Sequence, residues 1–184
     1  WWVGVLHRRS HVGARRPPHV RAMGDARYGR CGVRVLALDL GMHTGYAIGD
    51  GTSAPQSGTM HWKGNGFEGS GVAFLRFQDW LRQTVTENEI GRVAFEEVRR
   101  HPGGGTKAAH AFGGWLAIVG VVCEGLGVPY SGAGVGAIKK HGAGSGNATK
   151  QDMIAAANAR GWETQDDNEA DALWLLDLVL TEGA

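Results

Sequence analysis

Three carboxylates stand where chemistry would need them. Asp39 closes the aliphatic run Val33-Arg34-Val35-Leu36-Ala37-Leu38, Glu96 closes a second run from Gly91 to Phe95, and Asp171 interrupts an apolar stretch near the carboxyl terminus. A carboxylate at the end of a buried strand is costly unless it is paired or bound to a cation, so each of the three implies a partner. No Cys or His cluster with ligand spacing accompanies them, and an all-oxygen donor set favours Mg²⁺ or Mn²⁺ over zinc. Two such ions, about 4 Å apart, can activate a water and stabilise the leaving oxygen of a phosphodiester if acids converge on them from separate elements. A single acid of this kind is most often a helix cap or half of a salt bridge; three on three elements are harder to explain that way.

The segment Asp166-Asp167-Asn168-Glu169-Ala170-Asp171-Ala172-Leu173 divides into parts. Asp166 and Glu169 have capping-box spacing, which gives them a structural role at a helix start. Asn168 and Asp167 precede Asp171 by three and four residues, so either could share its helix face and act as a fourth ligand. Periodicity does not choose between them.

These residues need elements to position them. Val33–Asp39 has the composition of a buried strand, and Thr44–Gly49 and Ser57–Trp62 follow after short turns, which predicts a three-stranded antiparallel meander. Helical spacing of Val72, Phe74, Leu75, Trp80 and Leu81 predicts a helix over 67–87. Gly91–Glu96 is a further buried strand, an apolar helix runs through Trp115, Ile118 and Val122, and Val128-Pro129-Tyr130 suggests a fifth strand, making a strand, crossover helix, strand unit. Helices over about 149–159 and 167–180 end the chain. The expected class is α/β: a central five-stranded mixed sheet flanked by helices on both faces. The 31 glycines gather in loops such as 102–105 and 142–146, where backbone must bend or approach a neighbour closely.

Length and composition narrow the function classes. A chain of 184 residues suits one domain with its own core. Cys31 and Cys123 are too few for a disulfide framework, which points to buried thiols in a reducing, cytoplasmic setting. A net charge of +1 gives no global attraction to nucleic acid, so a basic surface would depend on arrangement. No apolar run is expected to reach the roughly 18 residues of a membrane span, since glycine or charge breaks the longest stretches. Residues 1–22 carry Arg8, Arg9, Arg15, Arg16 and Arg21 with His7, His11 and His19, and no acid. The expectation is that 1–30 lie outside the folded domain, with Met23 a natural start and 31–184 the domain; a phosphate-binding arm or an organelle leader are the lesser readings.

In order and spacing, the motifs resemble RuvC-type Holliday junction resolvases of the ribonuclease H-like superfamily. The resemblance rests on Ala37-Leu38-Asp39-Leu40-Gly41 with Thr44-Gly45-Tyr46-Ala47, on Val93-Ala94-Phe95-Glu96-Glu97-Val98 and on Glu169-Ala170-Asp171-Ala172-Leu173, and it covers about Val33 to Leu180. It implies a Mg²⁺-dependent endodeoxyribonuclease with two ions per site (Mn²⁺ able to substitute), acting on branched DNA by paired symmetric nicks that leave 5′-phosphate and 3′-hydroxyl ends. Asp39, Glu96 and Asp171 then fall on metal-binding acids, and Asn168 on a position where the family usually has an acid or a histidine. Lys139 and Lys150 match two basic residues near the active site, contacting phosphate or stabilising developing charge. Where the family often places an aromatic wedge, this chain has Arg99 and Arg100, whose guanidinium groups can stack on bases and neutralise phosphate. Lys107, beyond the glycines 103–105, is a further DNA-contact candidate. Two matched cuts in a two-fold junction imply a C₂ homodimer.

Two other readings fit parts of the pattern. Leu38-Asp39-Leu40-Gly41 with Thr44-Gly45 also resembles the first phosphate loop of actin-like and sugar-kinase ATPases, although those need two lobes and this chain has residues for one. A catalytically inactive junction-binding module is the other, prompted by the amide at Asn168.

Overall fold

Alternation along the first strand splits the core into two layers. In the computed structural model, which describes residues 32–64, 69, 71–98, 105–164 and 166–183 (backbone only at 105 and 107), β1 spans Val35–Asp39. Its odd positions Val35 and Ala37 pack on one side of the sheet and Leu36 and Leu38 on the other, as a period of two requires. The remaining elements are β2 (His43–Gly49), β3 (Gln56–His61), α1 (Val72–Glu87), β4 (Arg92–Glu97), α2 (Gly105–Leu126), β5 (Tyr130–Gly134), α3 (Val135–Ala143), α4 (Lys150–Ala159) and α5 (Asp167–Glu182). The five strands form one sheet in the order β3-β2-β1-β4-β5. The first three are antiparallel, and β4 and β5 add in parallel. This is the mixed sheet that the sequence predicts.

Helices α1 and α2 cover the Leu36 and Leu38 face, with Phe77, Leu81, Trp115, Val119 and Val122 buried there. Helices α3, α4 and α5 cover the other face, where α5 is the central element: Ala170, Ala172–Leu176, Leu178 and Val179 are buried. Asp166 caps α5, its side chain accepting from the Glu169 backbone N–H at 3.0 Å. Glu169 does not complete the box, contrary to its spacing. Its side chain is buried and accepts from the Ser57 hydroxyl at 2.7 Å, so it ties the helix to β3. The full capping box belongs to α4, where Thr149 and Asp152 exchange hydrogen bonds.

Two further expectations shift. The fifth strand begins at Tyr130, not Val128, because Pro129 has no N–H to give and contributes only its carbonyl, which accepts from the Val93 N–H at 2.9 Å. Ala108–Leu126 of α2 is 19 residues long and apolar enough to cross a membrane by length and composition, so the expectation that no stretch comes near that length fails. Its glycines and alanines break no helix here, and Trp115, Val119, Val122 and Cys123 are its buried positions in the domain. Burial pushes the Cys123 thiol up to about 11, which leaves it inert. The expectations for residues 1–30, and Cys31, lie outside the described residues.

One contact sets how closely α5 meets the sheet. A Cβ at Gly45 would lie 1.9 Å from the Asn168 backbone oxygen, so β2 and the first turn of α5 touch backbone to backbone. Gly45→Ala should therefore cost on the order of 3 kcal/mol or more, seen as a large fall in Tm. Gly113→Ala, which meets nothing within 4 Å, should instead stabilise the exposed side of α2 by up to about 1 kcal/mol. Equal effects of the two substitutions would show that the Gly45 contact is not tight.

Candidate active site

Strand parity brings the acids together. Asp39 shares the side of β1 that carries Val35 and Ala37, and Glu96 shares the side of β4 that carries Ala94; all three apolar residues belong to the layer packed on α5. Leu38 pairs with Phe95 in the parallel ladder, so Asp39 and Glu96 are the next residues on neighbouring strands. Asp39 also pairs with Gly45, the residue against which α5 begins. Asp171, one turn into α5, thus meets both strand ends.

The electrostatics record this convergence. Burial, then the charges of Glu96, Asp171 and Asp167, hold the Asp39 carboxyl well above the usual range. Burial and Asp171 raise Glu96 to about 7. Asp171 is raised to about 6, mainly by burial, with Asp167 adding to it and Lys139 and Lys150 opposing it. Among the described residues the buried Asp171 Oδ1 atom has no hydrogen-bond partner. Such a group of like charges would be unfavourable without a counter-cation.

Two lysines flank the acids from α3 and α4. Lys139 donates to the Ala148 carbonyl oxygen at 2.8 Å, which fixes its ammonium beside Glu96 and Asp171. Lys150, the first residue of α4, forms an ion pair with the Asp167 carboxylate while remaining largely exposed. That hydrogen bond, more than any other influence, raises the Lys150 pKa.

The two candidates for a fourth ligand separate in space. Asp167 acts on both Asp39 and Asp171 and carries Lys150. Asn168 turns toward the cap, its amide 3.4 Å from Asp166 Oδ1 and its backbone oxygen against Gly45. Arg99 and Arg100 lie outside the described residues, as does the side chain of Lys107. Sequence reasoning missed the residues that anchor α5 over the sheet: Ser57 to Glu169, and Thr59 to Asp166 at 2.8 Å. Polar positions on the inward side of β3 were the available signal. Thr44 is fully buried, donating to the Gly41 carbonyl oxygen and accepting from the Trp62 indole, both at 2.8 Å. Its hydroxyl is thereby committed to shaping the turn after Asp39.

In donor chemistry the cluster fits a hard divalent cation: it is made of carboxylate oxygens, and the unpartnered Asp171 Oδ1 is an atom such an ion would satisfy. Among the described residues no three His, Cys, Asp or Glu side chains stand close enough together to grip one ion in this conformation. The Coulomb couplings act over longer range than ligation, and the pairing of Asp167 with Lys150 draws one carboxylate aside.

No family model matches the chain, and no curated protein does. Solved structures do. The structure of Thermus thermophilus RuvC is 22% identical, with a TM-score of 0.62 over 82% of this chain and 94% of that one. T. thermophilus RuvC in complex with a Holliday junction substrate is 23% identical, with a TM-score of 0.65 over 80% and 92%. The yeast mitochondrial Holliday junction resolvase is 13% identical, with a TM-score of 0.59 over 82% and 79%. The chain has their ribonuclease H-like fold.

The raised carboxyls make stability depend on pH. Where an acid's folded pKa exceeds its unfolded value, the folded state binds more protons, so stability is full below about pH 4 and is lost as pH rises through 6 to 7. The shifts at Glu96 and Asp171 correspond to on the order of 3 kcal/mol each. In EDTA, Glu96→Gln should raise Tm at pH 8 and have little effect at pH 4.5. A wild type and variant whose Tm values run parallel across that range would remove the acidic cluster as the cause.

Proposed function

We propose that this chain is a divalent-cation-dependent endonuclease acting on branched DNA, and that it resolves four-way junctions. The observation that carries the reading is the meeting of Asp39, Glu96, Asp171 and Asp167 at one end of a ribonuclease H-like sheet, with an unpartnered buried oxygen among them. The likeness in fold to a protein solved in complex with a Holliday junction substrate supports the choice of substrate.

Asp39, Glu96, Asp171 and Asp167 would hold Mg²⁺, or Mn²⁺ in its place, as two ions per site. When bound, such ions activate water and stabilise the leaving oxygen of a phosphodiester. Asp167 is the better fourth ligand, because its carboxylate faces the cluster and Asn168 is engaged at the helix cap. Lys139, held by the Ala148 carbonyl, supplies a fixed positive charge beside Glu96 and Asp171. Lys150 is exposed enough to exchange Asp167 for a phosphate oxygen and to stabilise charge developing there. Arg99, Arg100 and Lys107 would extend the contact with DNA. Two cuts across a two-fold junction call for a C₂ homodimer.

The actin-like reading loses its main support, since the Thr44 hydroxyl is used internally and is not offered to a phosphate. An inactive binding module would not need four mutually repelling acids.

The test is cleavage of a labelled four-way junction beside duplex, flap and single-stranded controls, with Mg²⁺ or EDTA. Paired symmetric nicks should appear with Mg²⁺, vanish in EDTA, and fall by about 10²-fold or more in Asp39→Asn and Asp167→Asn, while Asn168→Asp retains cleavage. Mg²⁺ should also raise the wild-type Tm more at pH 8 than at pH 5. Folded protein that cuts none of these substrates with Mg²⁺ or Mn²⁺ would end the nuclease reading. Equal cutting of all of them would end junction selectivity alone.

A further inference from the structure

Beyond the acidic cluster, the same end of the sheet carries a pair of imidazoles. His43 opens β2 and His61 closes β3, and the two are register partners. The Trp62 N–H donates to the Met42 carbonyl oxygen at 3.1 Å, which makes 42 and 62 a hydrogen-bonded pair. By the alternation of an antiparallel ladder, His43 and His61 are then a non-hydrogen-bonded pair, the kind that brings side chains closest. Their ring centroids lie 4.6 Å apart. Both residues are exposed, and among the described residues neither ring nitrogen has a hydrogen-bond partner.

Parity puts both rings on the side of the sheet that α5 covers, because Gly45 and Thr59, two residues away on each strand, touch Asn168 and Asp166 there. The helix begins at Asp167, so the imidazoles stand beside its start, about 7 Å along β2 from the row that contains Asp39.

We propose that His43 and His61 form a second metal site, a two-imidazole chelate for a borderline transition cation such as Zn²⁺, Ni²⁺ or Cu²⁺. Neutral imidazole suits those ions, whereas Mg²⁺ prefers the oxygen donors of the acidic cluster. The site is therefore chemically distinct from the one used for catalysis. With two protein ligands it leaves further coordination positions open to water or an anionic oxygen. Backbone register presets the chelate, and the cost of gathering the ligands is met by strand pairing.

The test is calorimetric titration of the full chain with ZnCl₂ or NiCl₂ in excess Mg²⁺, comparing wild type with His43→Ala, His61→Ala, the double variant and Asp39→Asn. Every variant in this set retains His7, His11, His19, His101, His110 and His141, so their binding is common background. Each single histidine variant should weaken the site roughly tenfold or more, because the second ligand acts at high effective concentration, and the double variant should lose little beyond that. Asp39→Asn should keep the binding component that the histidine variants lose. Unchanged far-UV circular dichroism would show that the exposed substitutions leave the fold intact. Histidine variants that bind Zn²⁺ like wild type, or a site lost in Asp39→Asn, would overturn the proposal without bearing on junction cleavage.

Discussion

The approach of α5 to β2 at Gly45 is the contact on which the site depends. Any side chain at that position would enter the Asn168 carbonyl, and the first turn of the helix would be forced off the sheet. Because Gly45 is the register partner of Asp39, this tight backbone contact is also next to the first acid. Asp171 reaches Asp39 and Glu96 only because the helix that carries it begins there. The Ser57 to Glu169 and Thr59 to Asp166 hydrogen bonds fix the same turn from the edge strand. Part-buried hydrogen bonds of this kind limit how far the first turn of a core helix can drift.

The opposite half of α5 is anchored independently. Asp177 accepts from His141 of α3 at 2.7 Å and from Arg160, at the end of α4, at 2.6 Å. Trp174 packs edge-on against Trp162, and the Arg160 guanidinium lies over both rings. These contacts hold α3 and α4 against α5, and those two helices bring Lys139 and Lys150 to the acids. A polar network remote from the chemistry thus sets where the positive charges stand.

The arrangement trades stability for function. Carboxylates held within Coulombic reach of one another and partly buried oppose folding at neutral pH, and the apolar length of α5 offsets them. Lys150 moderates the repulsion through Asp167 and remains exposed enough to leave it. Among the described residues the buried Asp171 Oδ1 has no hydrogen-bond partner, which is the local mark of this repulsion.

The sequence by itself determined the order of the strands and of every helix but α3, the three acids at element ends and the α/β class, because these are written in local periodicity and in charges that break it; α3 (Val135–Ala143) is short and glycine-rich and carried no such pattern. It did not decide between Asp167 and Asn168, four and three residues before Asp171, because either spacing can reach the Asp171 face; in the fold Lys150 stands opposite one, and Gly45 and the Asp166 cap opposite the other. Glu169 had the spacing of a cap and is instead a buried tie to Ser57, a partner 112 residues away. The pairing of His43 with His61 follows from strand register, which single-strand patterns do not carry. Tertiary structure sets what each of these side chains faces, because that depends on which surface of another element lies within hydrogen-bonding reach.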